Sequence, residues 1–504
     1  MKIRLLLPFL LIAFIFSCKK TPEKPLLNSD KEFTEFKLTK NLNSSYLSQT
    51  IIGEIDNDTI QLTLPGDLPD TAKLIATFTI KGASVFVRDI KQESGITAND
   101  FFNPITYTVI AADGSTKKYI VKAIRTAVLP HIYITTDGKV PIVSKDDYVD
   151  ADIRIKGMEA YADYEGRTGI RGRGNTTWSY PKKPYKLKLE DKVPLFGLGA
   201  EKKWILLANY LDGTLLMNSI PYKAADMLGL PYVNHIIPVQ LTLNGEDQGF
   251  YVFTEHKEVK SDRIAVGAGG VLLELDAYFD EPYKFKSPHY HLPVMVKYPE
   301  LEDSSTTAAQ NRLSQIESNF AIFENLLHAS SFPNNNYRDY FDIEAYVEYL
   351  IVYLLTDNEE INHPKSTYIN KKAGEKYRMG IVWDFDWGFG YEKKGKHFDL
   401  STAGNSLFEF GVGEPGNLFF KKFLEDPSVT ALLKSKWKTF RTDKFEALKA
   451  HIKRYAASVE IVYKEDHEKW GKRDASGDLD TDLQRVLDWL DARADYLDTY
   501  IGGL

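Results

Sequence analysis

The 504-residue chain contains a single cysteine, Cys18. One cysteine cannot close an intrachain disulfide, so a disulfide-stapled scaffold is excluded and stability must come from packing. A basic excess is also missing: 63 lysines and arginines face 70 aspartates and glutamates, a net charge of −7. Nucleic-acid binders need a basic field, and this balance speaks against that class. No internal repeat is visible, and no apolar run is long enough to span a bilayer. What is plentiful is aromatic, with 29 tyrosines and 28 phenylalanines in a chain that is 43% apolar and 26% charged. That composition belongs to packed globular structure, and the length allows about two to four domains.

The first twenty residues stand apart. MKIR is followed by LLLPFLLIAFIF and then Ser17-Cys18-Lys19-Lys20. A basic start and a short apolar core predict a secretory signal. Cys18 sits where a bacterial lipoprotein signal carries its lipidated residue, and IFSC resembles such a lipobox. Residues 1–18 are read as signal peptide and lipidated cysteine, and residues 19–30, polar and proline-bearing, as a tether. This places the protein outside the cytoplasm, in the cell envelope, lipid-anchored at the outer membrane or cell surface. A simple secreted protein is the bland alternative.

From residue 31 to 127 short alternating runs predict a β-sandwich, similar to the immunoglobulin-like modules of surface lipoproteins. ITYTVIAADGSTKKYIVKA reads as a hairpin turning at Asp113-Gly114. Residues 128–300 remain strand-rich with longer loops, whereas the remainder carries apolar residues at helical spacing. One helix should end near Leu355-Thr356-Asp357. Strands first and helices later predict an α+β fold with two lobes and a cleft.

Four stretches carry candidate chemistry. In GIRGRGNTTWSYPKKPYKLKLED, residues 169–191, Gly172 and Gly174 form a loop whose N–H groups could approach phosphate oxygens. Lys186 and Lys188 follow on one strand face, an order that protein kinases use to hold ATP. In WILLANYLDGTLLMNSI, residues 204–220, Asp212 is placed to cap a helix. In GEDQGFYVFTEHKEV, residues 245–259, Glu255 ends a strand and could pair with a strand lysine or contact a nucleotide, while Glu274 and Asp276 repeat a two-apart acidic pattern further on.

The fourth, TDNEEINHPKSTYIN at 356–370, is followed after a hairpin by WDFDWGFG at 383–390. A loop with Asp357, Asn358, Glu359, Glu360, Asn362, His363 and Lys365 looks like a site rather than a solvated turn. On a β-strand Asp384 and Asp386 would share one face, with Trp383, Phe385 and Trp387 on the other. Two such carboxylates repel, and a cation relieves them. They are candidate magnesium ligands, and a buried pair neutralised by Arg171, Arg173 or a lysine is the structural alternative.

Taken in order, RGRGNTTW with KKPYKLKL, WILLANYLD with LLMNS, GFYVFTEHKEV, ELD, VKYPE, PKSTYIN and VWDFDWGFG resemble the CotH kinase family over roughly residues 130–504. The resemblance implies an atypical protein kinase fold over residues 128–504 and Mg-ATP-dependent phosphorylation of serine on a protein acceptor. It implies that one of Lys186 or Lys188 holds the phosphates and that Asp357 holds the catalytic-loop position, with Gly172, Gly174 and Glu255, read from their own stretches, as the further candidates for ATP. Asp384 and Asp386 take the metal place, with Asn362 or Asn358 standing in where the family often has an asparagine and this chain has Ser366. Met217 replaces a frequent arginine. Two other readings stand beside it: a kinase-fold binding or scaffold protein with a glycan or protein partner, and a metal-dependent glycosyltransferase. The last lacks the opening strand–helix alternation that binds nucleotides.

Overall fold

The computed structural model describes residues 27–47, 50–65, 68, 72–126, 129–158, 160–301, 306–471 and 474–504. The signal, Cys18 and most of the tether lie outside these residues. Two compact units divide the chain near Arg125. Among the described residues no helix is long and apolar enough to cross a membrane.

The N-terminal unit is a β-sandwich. One sheet orders Ile51–Ile52, Glu32–Leu38, Leu74–Lys81 and Ala98–Asn99; the other orders Glu54–Asp56, Thr59–Pro65, Thr116–Thr126, Ile105–Ile110, Ser84–Val87 and Ile90–Lys91. The hairpin read from sequence is present, with Tyr107 opposite Tyr119 and Gly114 at φ 86° in the turn. Inward residues of the two sheets close an aromatic core in which Phe33 meets Tyr119 edge-on at 5.1 Å and Phe36 meets Tyr107 at 5.4 Å. Edge-to-face geometry suits the ring quadrupoles.

The second unit opens with a closed seven-stranded barrel: His131–Thr136, Val149–Lys156, Tyr164–Gly172, Tyr185–Val193, Glu201–Leu207, Glu246–Glu255 and Ile237–Leu243, the last closing in parallel on the first. Alternation dictates its interior. Ala151, Ile153 and Ile155, then Tyr185, Leu187 and Leu189, point inward around a stacked Trp204–Phe253 pair at 5.0 Å. Their neighbours must therefore face out, which puts Lys186 and Lys188 on the outer wall.

A five-stranded antiparallel sheet follows, ordered Lys284–Lys286, Pro293–Tyr298, Val271–Leu275, Thr367–Lys371 and Arg378–Met379. The helical part is built on Ile343–Thr356, which is almost wholly buried and apolar except for one face where Glu344 and Glu348 pair with Lys436. The Asp342 side chain caps its start by accepting from the N–H of Glu344 and Ala345. Asp357 ends it in the left-handed region at φ 47°. The long helix Phe445–Trp470 is tied to the barrel by Asp466, whose Oδ1 lies 2.7 Å from Lys182 Nζ and accepts from the Phe250 N–H at 2.9 Å, all three residues being buried.

Candidate functional site

Two adjoining cavities, about 280 Å³ and about 980 Å³, share Arg173, Gly174, Lys257, Glu274, Lys297 and Trp383 in their walls. The barrel supplies Arg173 and Gly174 from the loop after Tyr164–Gly172, and Lys257 from just past Glu246–Glu255. The five-stranded sheet supplies Glu274 and Lys297.

The glycines do structural work in this loop. A Cβ on Gly172 would meet the Trp178 ring at 2.5 Å, and one on Gly174, at φ 82°, would meet Thr177 Oγ1 at 2.1 Å. The N–H groups of Gly172 and Arg173 donate to Ser144 O and Pro184 O, so these two hold the loop itself. Gly174 lines both cavities and Gly172 the larger.

The two strand lysines separate. Lys186 lines the larger cavity with its Nζ 3.0 Å from His256 Nε2. Burial, with Arg171 and Lys203 nearby, pushes its ammonium down to about 8. Lys188 is exposed, stands 5.8 Å over the Tyr148 ring and lines neither cavity.

Lys257, which sequence reasoning passed over, is enclosed by Tyr368 and Trp383, its Nζ 4.6 Å from each ring centre. Burial brings it down to about 8, against the opposing pull of Glu274, whose Oε1 is 3.8 Å away. Glu274 also pairs with Lys297 at 3.3 Å and accepts from the Tyr368 hydroxyl. Only the acidic pair Glu274/Asp276 hinted at this cluster. Glu255, by contrast, turns away from both cavities, because His235 offers it Nδ1 at 2.6 Å and its backbone N–H at 2.9 Å.

Asp384 and Asp386 both line the smaller cavity, though not as strand neighbours. Residues 380–385 run outside any strand, and Asp384 sits at φ 63°. That left-handed residue breaks the alternation, so Trp383 shares the cavity instead of opposing it, and the Arg173 guanidinium lies 5.6 Å from its ring. The segment is pinned by Asn358 Nδ2 donating to Asp384 O at 3.0 Å and by His397 Nε2 donating to Asp386 O at 2.8 Å. The Ser366 hydroxyl donates to Asp384 Oδ2 at 3.3 Å, and its N–H donates to Asp276 Oδ2 at 3.2 Å. Burial, reinforced by Glu274, raises Asp276 to about 6.

Two loop residues expected in the cleft are elsewhere. Asp357 is fully buried, with Oδ1 3.1 Å from Arg493 Nη2 and Asn405 within reach of Oδ2. Asn362 spends its amide on Leu407 O at 2.7 Å and on Asn417 Nδ2 at 3.2 Å. Neither lines either of the two cavities. Glu360 does. It is buried beside Asp384, and both circumstances push its carboxyl well above the usual range. Lys365 Nζ is 3.7 Å from its Oε1, and its Oε2 has no hydrogen-bond partner. Of the second stretch, Asn209 and Asn218 line the smaller cavity, while Asp212 fixes the turn before Ser219–Leu228 by accepting from Thr214 N and Met217 N. Met217 is buried.

The two cavities differ in charge. Seven carboxylates and five cations line the smaller, whereas eight lysines and arginines and five carboxylates line the larger. Among the described residues no group of three or more His, Cys, Asp or Glu forms a ready-made metal site. The donors fit magnesium nonetheless: Asp384 and Asp386 are hard oxygen ligands, and Glu360 Oε2 is an orphaned buried oxygen beside them. Magnesium takes one or two carboxylates and completes its shell with phosphate and water.

A family model described as SGBP, N-terminal matches residues 42–123, and one described as CotH kinase protein matches residues 170–497. No curated protein matches the chain. With the second match spanning most of the chain and every wall of the smaller cavity, the protein belongs to the CotH kinase family.

Proposed function

We propose that the protein is a phosphotransferase that moves the terminal phosphoryl group of ATP to a hydroxyl, serine of a protein being the acceptor its family resemblance implies. The observation that carries this is the meeting, at one junction of two cavities, of the Gly174 loop, the Lys257–Glu274 pair and the Asp384/Asp386 carboxylates. Phosphoryl transfer asks for positioning and charge neutralisation more than for covalent chemistry. Lys186, Arg173 and Lys257 would carry the polyphosphate along the cationic cavity. Asp384 and Asp386 would hold magnesium, which when bound screens phosphate charge. Glu360, buried in the wall of the smaller cavity with its Oε2 unpartnered, would take the hydroxyl proton. Ser366 and Asn358 keep the Asp384 segment in register.

Lipid on Cys18 would hold this activity in the cell envelope. The test is transfer of labelled γ-phosphate to an added acceptor by the wild type, lost in Glu360→Gln. Transfer that survives this change contradicts the assigned base. A second reading, binding without turnover of a glycan partner, is favoured by the match of residues 42–123 to an SGBP N-terminal model. It predicts retention on an immobilised polysaccharide that Asp386→Asn does not alter.

A further inference from the structure

The smaller cavity has a feature that phosphate and metal do not need. Four separate segments bring aromatic rings to its wall: Tyr180 and Tyr210, stacked at 5.2 Å and 27°, Tyr278, 49% exposed, and Trp387. One exposed and three half-buried rings grouped around a polar cavity are a recognition surface rather than a core. Between them stand carboxylates and amides, including Asp280 and Asn209. A ring with apolar C–H faces and a rim of hydroxyls is the ligand that such a wall recognises: its faces lie on aromatics and its hydroxyls donate to carboxylates.

The nucleotide does not compete for this wall. The larger cavity offers a base its own apolar side, with Val259, Leu272 and Val296, beside the cations for its phosphates. The smaller cavity, at about 280 Å³, falls just below the ~300–1,000 Å³ of small-ligand pockets. Tyr278 bridges two parts of its wall, its hydroxyl 3.2 Å from Thr176 Oγ1 of the glycine loop. That suits the end of a sugar chain better than an extended peptide, which needs a sheet edge or a long groove.

We infer that the smaller cavity is an acceptor subsite for a pyranose ring, so that the hydroxyl phosphorylated is carbohydrate. This rests on the phosphotransfer reading above and puts a sugar hydroxyl in the place of protein serine as the acceptor. The sugar oxygen bonds to the γ-phosphorus of the nucleoside triphosphate. The bond from that phosphorus to the β–γ bridging oxygen breaks, and its electron pair leaves with the nucleoside diphosphate. The hydroxyl proton passes to Glu360.

The experiment uses the full chain with magnesium and γ-labelled ATP. Maltoheptaose, mannotetraose and xylohexaose are offered alongside casein and a serine-rich peptide. The same sugars are titrated calorimetrically without nucleotide into wild type, Tyr278→Ala and Tyr278→Phe. The expected result is label in a sugar phosphate monoester, with KM for that sugar raised tenfold or more in Tyr278→Ala and restored in Tyr278→Phe. The nucleotide-free binding heat should follow the same pattern, which separates this site from any sugar bound elsewhere on the chain. Label entering casein or the peptide but no sugar overturns the inference, as does sugar binding indifferent to Tyr278→Ala. Failure of the phosphotransfer reading shows differently: no melting shift with magnesium and ATP, whatever the sugar titration gives.

Discussion

Arg493 Nη2 lies 3.1 Å from Asp357 Oδ1, and neither residue touches solvent. The same guanidinium donates to Leu354 O at 2.7 Å and to Ala403 O at 3.1 Å, so the pair fastens the end of the central helix to the last helix of the chain. Breaking a buried ion pair by removing one charge costs about 3–5 kcal/mol. Asp357→Asn keeps an acceptor and should fall at the low end, about 3 kcal/mol, in urea unfolding. Its folded fraction should keep nucleotide binding and phosphoryl transfer. Glu360→Gln should do the reverse, retaining stability and losing transfer. Transfer lost in folded Asp357→Asn would return the catalytic role to Asp357.

Lys182 and Asp466 form a second buried pair, between the barrel and the long helix Phe445–Trp470. Lys182→Met should cost roughly 3–5 kcal/mol because it strands a buried carboxylate. Adding Asp466→Leu should recover much of that loss, since the orphaned charge then goes too. Equal loss in the single and double variants would show that packing, not charge, governs this contact.

The two cleft lysines give opposite pH signatures for stability and for anion binding. Lys186 and Lys257 titrate near 8 when folded, below the ordinary lysine value near 10.5. Between these values the unfolded chain holds more protons, so their stability penalty is complete below pH 8 and is relieved as pH rises toward 10.5. A polyphosphate needs both charged, so its affinity should fall as pH rises above about 8. Melting shifts with magnesium and ATP from pH 7 to 9.5 check this. Lys186→Met should bind more weakly at pH 7 and lose part of the pH dependence. A shift that grows with pH would exclude both lysines from anion binding.

Lipidation is a separate matter. Cells fed labelled palmitate should incorporate label into the wild type and not into Cys18→Ala, which should leave the membrane fraction. Unlabelled wild type would point to plain secretion.

Local patterning made the architecture legible: alternating inward residues, the Asp113-Gly114 hairpin and the apolar helix ending at Asp357 all act over short sequence distance. It also led to Gly174, Lys186, Asp384 and Asp386, which line the cleft because the loops carrying them are built locally. What failed was the sorting of neighbours within a dense polar loop. Asp357, Asn362 and Glu255 are drawn off by Arg493, Asn417 and His235, partners 136, 55 and 20 residues away. No spacing rule reaches those. Lys257 carries no local signal, and Glu360, though one of the polar residues of that loop, has no role its spacing assigns; both acquire a setting only when the sheet and the WDFDWGFG segment close over them.

The central claim is that WDFDWGFG holds a metal for a nucleotide. The most direct measurement is thermal melting of the full chain with magnesium alone, ATP alone and both. A ligand that binds only the native state raises the melting temperature by mass action, by about 2.7 kcal/mol of stability at a hundredfold excess over Kd. The account predicts a shift that needs both ligands and is abolished by Asp384→Asn or Asp386→Asn. A shift with ATP alone that both variants retain would contradict it.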